Sequence, residues 1–264
     1  MNKIGVFDSG LGGLSAIREI LKILPEDIIY FGDTGRVPYG NRSYDIIKKY
    51  GRQSVNFLLS KGVKKILVAC GTVSSVALDD LRAEFAGVPL FGVIESACEK
   101  AVRIAECTGN KKIGVIGTQA TVSSGAYEQY IKKLNNSCEV YSKACPLFVP
   151  LVENGHISDE LAKLAASEYL RDLKELEVSS LILGCTHYPM LKDIISEIMG
   201  TELIDAGAEA ARRLKLGNNL LNECRAGSLE IFISDEGMKF SEIASSFLGF
   251  DIKSGISKIE IEKY

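Results

Sequence analysis

The chain has 264 residues, 46% apolar and 25% charged, an ordinary globular composition that excludes a disordered or fibrous protein. Its net charge of −3 comes without any Lys/Arg block, so no nucleic-acid partner is expected, and no apolar run approaches the roughly 20 residues of a membrane span. Seven cysteines in a chain this long, several inside apolar runs, read as reduced thiols of a cytoplasmic protein; Cys98, Cys107, Cys138, Cys145 and Cys224 are expected to be buried or partly buried.

Met1 leads straight into a strand pattern, without the basic and apolar segments of an export signal. Residues 3–8 (KIGVFD) form that strand, which breaks at the glycine-rich turn 9–13. Leu14, Ile17, Leu21 and Leu24 share one face of a helix that Pro25 ends. A second strand over 28–32 closes on Asp33. The loop 34–43 is rich in Gly, Pro, Tyr and Arg, which suits a working loop. A helix over 44–61 stops at Gly62. Then come a strand ending at Cys70 (ILVACGT over 66–72), a helix over about 74–85 and a short strand over 89–94. Strands alternating with helices in this way imply a parallel sheet with helices on both faces.

The pattern then restarts. A helix over 95–106 precedes a strand over 112–117 (KIGVIG) that matches the opening KIGVFD. Residues 118–124 replace the glycine-rich turn, and a helix covers 125–134. A strand at 139–142 leads to a loop over 144–155. Ser158 is the expected N-cap of a helix over 158–173. The run LILGCTHYP (181–189) repeats the strand–Cys–Thr pattern, followed by a helix over about 190–199 and a strand over 202–204. This order, occurring twice, predicts two similar doubly wound α/β domains with mainly parallel sheets, related by a pseudo-twofold axis, with the active site in the cleft between them. The expected division is 1–95 plus 206–264 for a discontinuous first domain and 96–205 for the second. The final segment should hold a helix over 206–221, a strand over 230–234, a helix over 238–248 and a polar strand-like tail.

Facing units would bring Cys70 and Cys185 to opposite sides of one cleft. Inverting a carbon acid needs one group to remove a proton from one face while another delivers a proton to the opposite face. A thiol can do either, because its ordinary pKa of about 8.5 lies near working pH. Asp8 and Asp33 close strands on the cleft side, Glu153 lies in the loop 144–155, and His187 stands two residues from Cys185. Each could orient a thiol or hold a charged substrate, or serve instead as a helix cap or a solvated charge; His156 reads as a surface residue.

The turn Gly10-x-Gly12-x-x-Ser15, with Asp33 about twenty residues on, approaches a dinucleotide fingerprint. The third glycine is missing, however, and Asp8 and Ser9 crowd the pyrophosphate position, so a small anionic head group suits it better than NAD. Zinc is not expected, since there are only two histidines and no Cys-x2-Cys pair.

DSGLGG (8–13), DTGRVPYG (33–40), ACGT (69–72), LVENG (151–155) and GCTHYP (184–189) resemble the motifs of the glutamate racemases, in the aspartate/glutamate racemase superfamily. The resemblance implies cofactor-independent interconversion of L- and D-glutamate, supply of D-glutamate to peptidoglycan, and a homodimer. By motif position it implies Cys70 and Cys185 as the acid/base thiols, with Asp8 near one and Glu153 and His187 near the other. Asp8, Ser9, Tyr39, Gly40, Gly71, Thr72, Thr186 and His187 would line the substrate site, with Asp33 and Thr121 as further assisting candidates. The family usually carries Asn after the first cysteine, where this chain has Gly71. That change would remove an amide from the substrate, leaving Ser74 or Thr121 to compensate, or shift preference to aspartate or another small acidic amino acid. Glu95-Ser96-Ala97 also stands where the family often has Pro-Gly. The remaining alternatives are an NAD-dependent oxidoreductase, which would need nucleotide binding, and a non-catalytic binding relative, against which both cysteines stand.

Overall fold

The computed structural model describes residues 3–216, 227–237, 240–252 and 255–264. The opening apolar runs become strands β1 (Ile4–Asp8), β2 (Ile28–Gly32), β3 (Lys65–Val68) and β4 (Leu90–Phe91). Their counterparts are β5 (Lys112–Gly117), β6 (Glu139–Ala144), β7 (Ser180–Leu183) and β8 (Glu202–Asp205). The remaining strands are β9 (Leu229–Ile233) and β10 (Ile256–Lys258). β1, β2 and β7 are buried at every position, as strands with helices on both faces must be.

The strands form a six-stranded sheet, β10-β9-β2-β1-β3-β4, and a four-stranded sheet, β6-β5-β7-β8. All pairings are parallel. The order β2-β1-β3-β4 in the first sheet returns as β6-β5-β7-β8 in the second, so the repeat in the sequence is a repeat in topology.

Register fixes where the strands end. Asp8 lies level with Gly32, and Phe7 with Val68. The Asp33 N–H donates to Asp8 O at 3.1 Å and the Ala69 N–H to Phe7 O at 2.9 Å. Asp8, Asp33 and Cys70 therefore leave the first sheet at one edge. In the second sheet the Gly184 N–H donates to Ile116 O at 2.8 Å and the Cys145 N–H to Gly117 O at 3.0 Å. That sets Thr118, Cys145 and Cys185 at its corresponding edge, the carboxyl ends where ligands bind in parallel sheets.

The helices are α1 (Leu14–Ile23), α2 (Tyr44–Ser60), α3 (Gly71–Val76), α4 (Leu78–Glu84), α5 (Ile94–Thr108), α6 (Gln119–Ser123), α7 (Ala126–Leu134), α8 (Phe148–Glu153), α9 (Glu160–Glu175), α10 (Lys192–Met199), α11 (Ala206–Leu216) and α12 (Phe240–Leu248). α1 buries Leu14, Ile17 and Ile20, each contributing about 1.5–3 kcal/mol of hydrophobic stabilisation. α5 ends on Gly109 in the left-handed conformation, φ 75°. A core that includes α1, α5 and α11 runs from the first sheet into the second, and another lies between the first sheet and α2.

Several local readings change. The helix expected over 74–85 is two, α3 and α4, meeting at Ala77, and α3 starts directly after Cys70. The short strand over 89–94 shrinks to Leu90–Phe91, because α5 begins at Ile94. Glu95-Ser96-Ala97 is therefore the first turn of α5, where Glu95 pairs with Arg82 at 2.6 Å. The segments 118–124 and 144–155 hold the short helices α6 and α8. The cap of α9 is Asp159, whose side chain accepts from the Ala162 N–H; Ser158 does not fill that role. Cys107 is exposed, while Cys70, Cys98, Cys138, Cys145 and Cys185 are buried. Cys224 and the expected end of the helix at 217–221 lie outside the described residues. No helix among the described residues is long and apolar enough to cross a membrane.

Candidate active site

A cavity of about 340 Å³ opens between the carboxyl edges of the two sheets. Both strand-tip thiols line it, Cys70 from β3 and Cys185 from β7. Ser9, Tyr39, Gly40, Gly71 and Thr72 join the wall from the first unit, and Glu153, Thr186 and His187 from the second. A pocket of this size suits a small molecule.

The surroundings of the two thiols differ. Cys70 is 4% exposed, and its Sγ lies 3.4 Å from Ser9 Oγ. Burial, reinforced by the negative charge of Asp8, pushes this thiol up to about 12. Cys185 Sγ lies 4.0 Å from His187 Nδ1, and His187 Nε2 lies 3.1 Å from Glu153 Oε1. Burial alone would push the imidazole down. Its hydrogen bonds to Cys185 and Glu153, with their charges, outweigh that and hold it up at about 10. The Phe247 ring from α12 meets the imidazole edge-on at 5.3 Å. One thiol therefore faces a cation and the other does not.

Asp8 is wholly buried and does not itself line the cavity. Its Oδ2 accepts from the Gly10 N–H at 3.0 Å, and the Thr186 hydroxyl lies 3.5 Å from Oδ1. Burial raises its pKa against the pull of His187 and the backbone N–H groups of Gly10, Gly13 and Ser9. A carboxylate placed there acts on Cys70 and His187 through its charge.

Three candidates stand elsewhere. Asp33 is buried outside the cavity wall, where Arg36 Nε donates to it at 2.7 Å and the Tyr39 hydroxyl also donates. Its bonds to Arg36 and Tyr39 tie it to the turn that carries Tyr39 and Gly40, behind the cavity lining. Thr121 is buried behind Thr118, their hydroxyls 3.0 Å apart. Ser74 donates to Val68 O at 2.8 Å and lines a different cavity, so it cannot replace a side chain at 71.

The wall also contains residues that the motifs did not single out. Thr118 hydrogen-bonds Thr72 across the two units, Oγ1 to Oγ1 at 3.0 Å. The repeat could have found it, since Thr118 follows KIGVIG as Ser9 follows KIGVFD. Cys145, Pro146, Val149 and Pro150 supply an apolar wall from the loop after β6 and from α8.

The glycine-rich turn is not free to take a pyrophosphate. A Cβ at Gly12 would stand 2.2 Å from Thr186 Oγ1 and 2.6 Å from His187 Nδ1, so the tip of the second unit already fills that space. Ser15, where a third fingerprint glycine would stand, has its hydroxyl 3.1 Å from Thr186 O. Among the described residues no three His, Cys, Asp or Glu side chains gather as metal ligands.

Residues 21–214 match the family model described as Asp/Glu/Hydantoin racemase. The chain is 44% identical over 257 residues to a glutamate racemase of Aquifex aeolicus (strain VF5), covering 97% of each chain. It is 45% identical over 261 residues to one from Sulfurihydrogenibium sp. (strain YO3AOP1), covering 98% of this chain and 97% of the relative. Among solved structures, glutamate racemase from Francisella tularensis subsp. tularensis SCHU S4 in complex with D-glutamate superposes with a TM-score of 0.90 at 36% identity, covering 100% of this chain and 99% of that one.

Proposed function

Because the chain belongs to the Asp/Glu/hydantoin racemase family and is an amino-acid racemase, an isomerase, we propose that it interconverts L- and D-glutamate by proton transfer between Cys70 and Cys185. The observation that carries the mechanism is the convergence of two thiols, from topologically equivalent strands of two sheets, on one small cavity.

Each step balances as a proton transfer. One thiolate takes the proton from Cα, the carbanion is held as the resonance form delocalised onto the α-carboxylate, and the opposing S–H returns a proton to the other face. Cys70, pushed up to about 12, is protonated at neutral pH and is the donor in the resting enzyme; the base role then falls to Cys185 beside His187. For the opposite hand of substrate the roles reverse. The hydroxyls of Thr72, Thr118 and Thr186, with the backbone of the Tyr39–Gly40 turn, are the donors available to the substrate carboxylates. Asp8 acts on Cys70 through its charge, and Glu153 acts through His187.

The same reading takes 1–95 with 206–264 as one domain and 96–205 as the other, a homodimer in the cytoplasm, and D-glutamate supplied to peptidoglycan. Cys70→Ala and Cys185→Ala should each abolish racemisation, followed by polarimetry with either glutamate enantiomer. Normal racemisation by either variant would overturn the two-thiol mechanism.

A further inference from the structure

We propose that Phe247 is a positioning residue: its ring fixes the tilt of the His187 imidazole, so that the two ring nitrogens stay facing Cys185 and Glu153. This rests on the two-thiol reading, in which His187 serves Cys185. None of the sequence motifs of the site reaches Phe247, which stands on α12. The imidazole is 5% exposed. Its centroid lies 5.3 Å from that of the Phe247 ring with the planes at 81°, the edge-to-face contact that aromatic rings favour.

Hydrogen bonds resist the tilting of a ring only weakly, because they tolerate bent angles; a close-packed neighbour resists it sterically. His187 Nε2 lies 3.1 Å from Glu153 Oε1, but Nδ1 reaches Cys185 Sγ only at 4.0 Å, so a small tilt loses the sulfur. The glycine-rich turn of the first unit sets one limit: a Cβ at Gly12 would stand 2.6 Å from Nδ1 and 2.8 Å from Cε1. Phe247 sets the other. Its own place is fixed, since it is 1% exposed and α12 closes just after it. Gly249, in the left-handed conformation with φ 79°, donates its N–H to Ser245 O at 2.8 Å, and the Ile252 N–H donates to Ser245 Oγ at 3.2 Å.

A second cavity, of about 180 Å³, is lined by Val152 and Glu153 of α8 and by Glu242, Ile243 and Phe247 of α12. Glu153 and Phe247 both line it and both meet the imidazole, which is not part of its wall. Cutting back the Phe247 side chain would join the space it leaves to this cavity and admit water to His187. Cys185, Glu153 and, from β1, Asp8 face the imidazole with their charges, and Glu242 lines the cavity. Burial pushes the imidazole down, and its bonds to Cys185 and Glu153 overcome that and hold it up at about 10. Water and a loosened ring weaken both the attraction and the burial penalty, so the titration falls back towards its ordinary value near 6.5.

Phe247→Leu keeps an apolar side chain and removes the flat ring. The His187 titration, read by proton NMR, should fall by about one pKa unit or more. kcat should fall by roughly tenfold to 100-fold, with KM within about twofold, since Phe247 is outside the substrate cavity wall. Phe240→Leu makes the same change at another buried ring two turns earlier on α12, and should leave both the titration and kcat as in wild type. An unmoved or rising titration in Phe247→Leu, an equal fall in Phe240→Leu, or a wild-type kcat in Phe247→Leu overturns the role. Should Phe247→Leu not fold by circular dichroism, Phe247→Met, whose flexible chain fills irregular gaps, is judged by the same two readings. In the wild type, a missing Overhauser contact between the His187 and Phe247 ring protons overturns it without any variant. Wild-type enzyme that gives no deuterated, inverted glutamate in deuterated water fails the two-thiol reading instead, and the titration still judges Phe247.

Discussion

His187 Nε2 sits 3.1 Å from Glu153 Oε1, and its other ring nitrogen faces Cys185 Sγ at 4.0 Å. The imidazole is thus held between a carboxylate and a sulfur inside the protein, and it keeps its proton to about pH 10. An unfolded histidine loses it near 6.5. The pairing therefore stabilises the folded chain fully below about pH 6.5, and the contribution disappears as pH rises through 10. Glu153→Gln should move the His187 titration to lower pH, read by proton NMR. With only two histidines in the chain, His156→Gln assigns the signal. An unmoved titration contradicts the role given to Glu153.

Asp8 presses on Cys70 in the opposite sense. Its charge adds to burial in holding that thiol protonated. Asp8→Asn should lower the Cys70 pKa and raise its alkylation by iodoacetamide at neutral pH by about threefold for each pKa unit, the gain in thiolate being partly offset by its lower nucleophilicity. Peptide mass spectrometry reads the rate at Cys70 alone. Unchanged or slower alkylation would show that Asp8 does not act on this sulfur.

Asp33 keeps the mouth of the site in shape from a distance. Its carboxylate is fully buried and Arg36 is nearly so. Asp33→Ala takes the carboxylate from the guanidinium, which keeps Gln53 Oε1 and the Tyr50 ring, and should cost about 3 kcal/mol in denaturant unfolding. Asp33→Asn should raise KM more than it lowers kcat, because it loosens the turn bearing Tyr39 and Gly40. A stability loss under about 1 kcal/mol with unaltered KM contradicts this assignment.

Thr118 bridges the units through Thr72 and is braced within its own unit by Thr121. Thr118→Val keeps the shape and removes the hydroxyl. A hydrogen bond to a charged group contributes about 1.5–3 kcal/mol, so KM for glutamate should rise by roughly tenfold or more. A KM within about twofold of wild type removes Thr118 from the substrate contacts.

The sequence made the repeat readable because KIGV opens both units and because β3 and β7 are runs of equal length, each followed two residues on by a thiol. KIGVFD and KIGVIG became β1 and β5, and Cys70 and Cys185 leave equivalent strands. What it hid depends on contacts between distant segments. Asp33 closes a strand as Asp8 does, but only the fold turns Arg36 and Tyr39 onto it. Gly71 lies close against the carbonyl of Gly184, a contact that residues over a hundred positions apart do not announce. α6 and α8 are too short to show a helical period, and Phe247 reaches His187 from a helix 60 residues further along the chain.

The central claim is inversion at Cα by two opposed thiols. The most direct test incubates the wild-type enzyme with L- or D-glutamate in deuterated water, with no added cofactor, and reads chirality and mass together. The expected result is deuterium at Cα of the inverted product from either enantiomer. Inversion without solvent deuterium, or no reaction with glutamate alongside exchange with aspartate, would contradict the account.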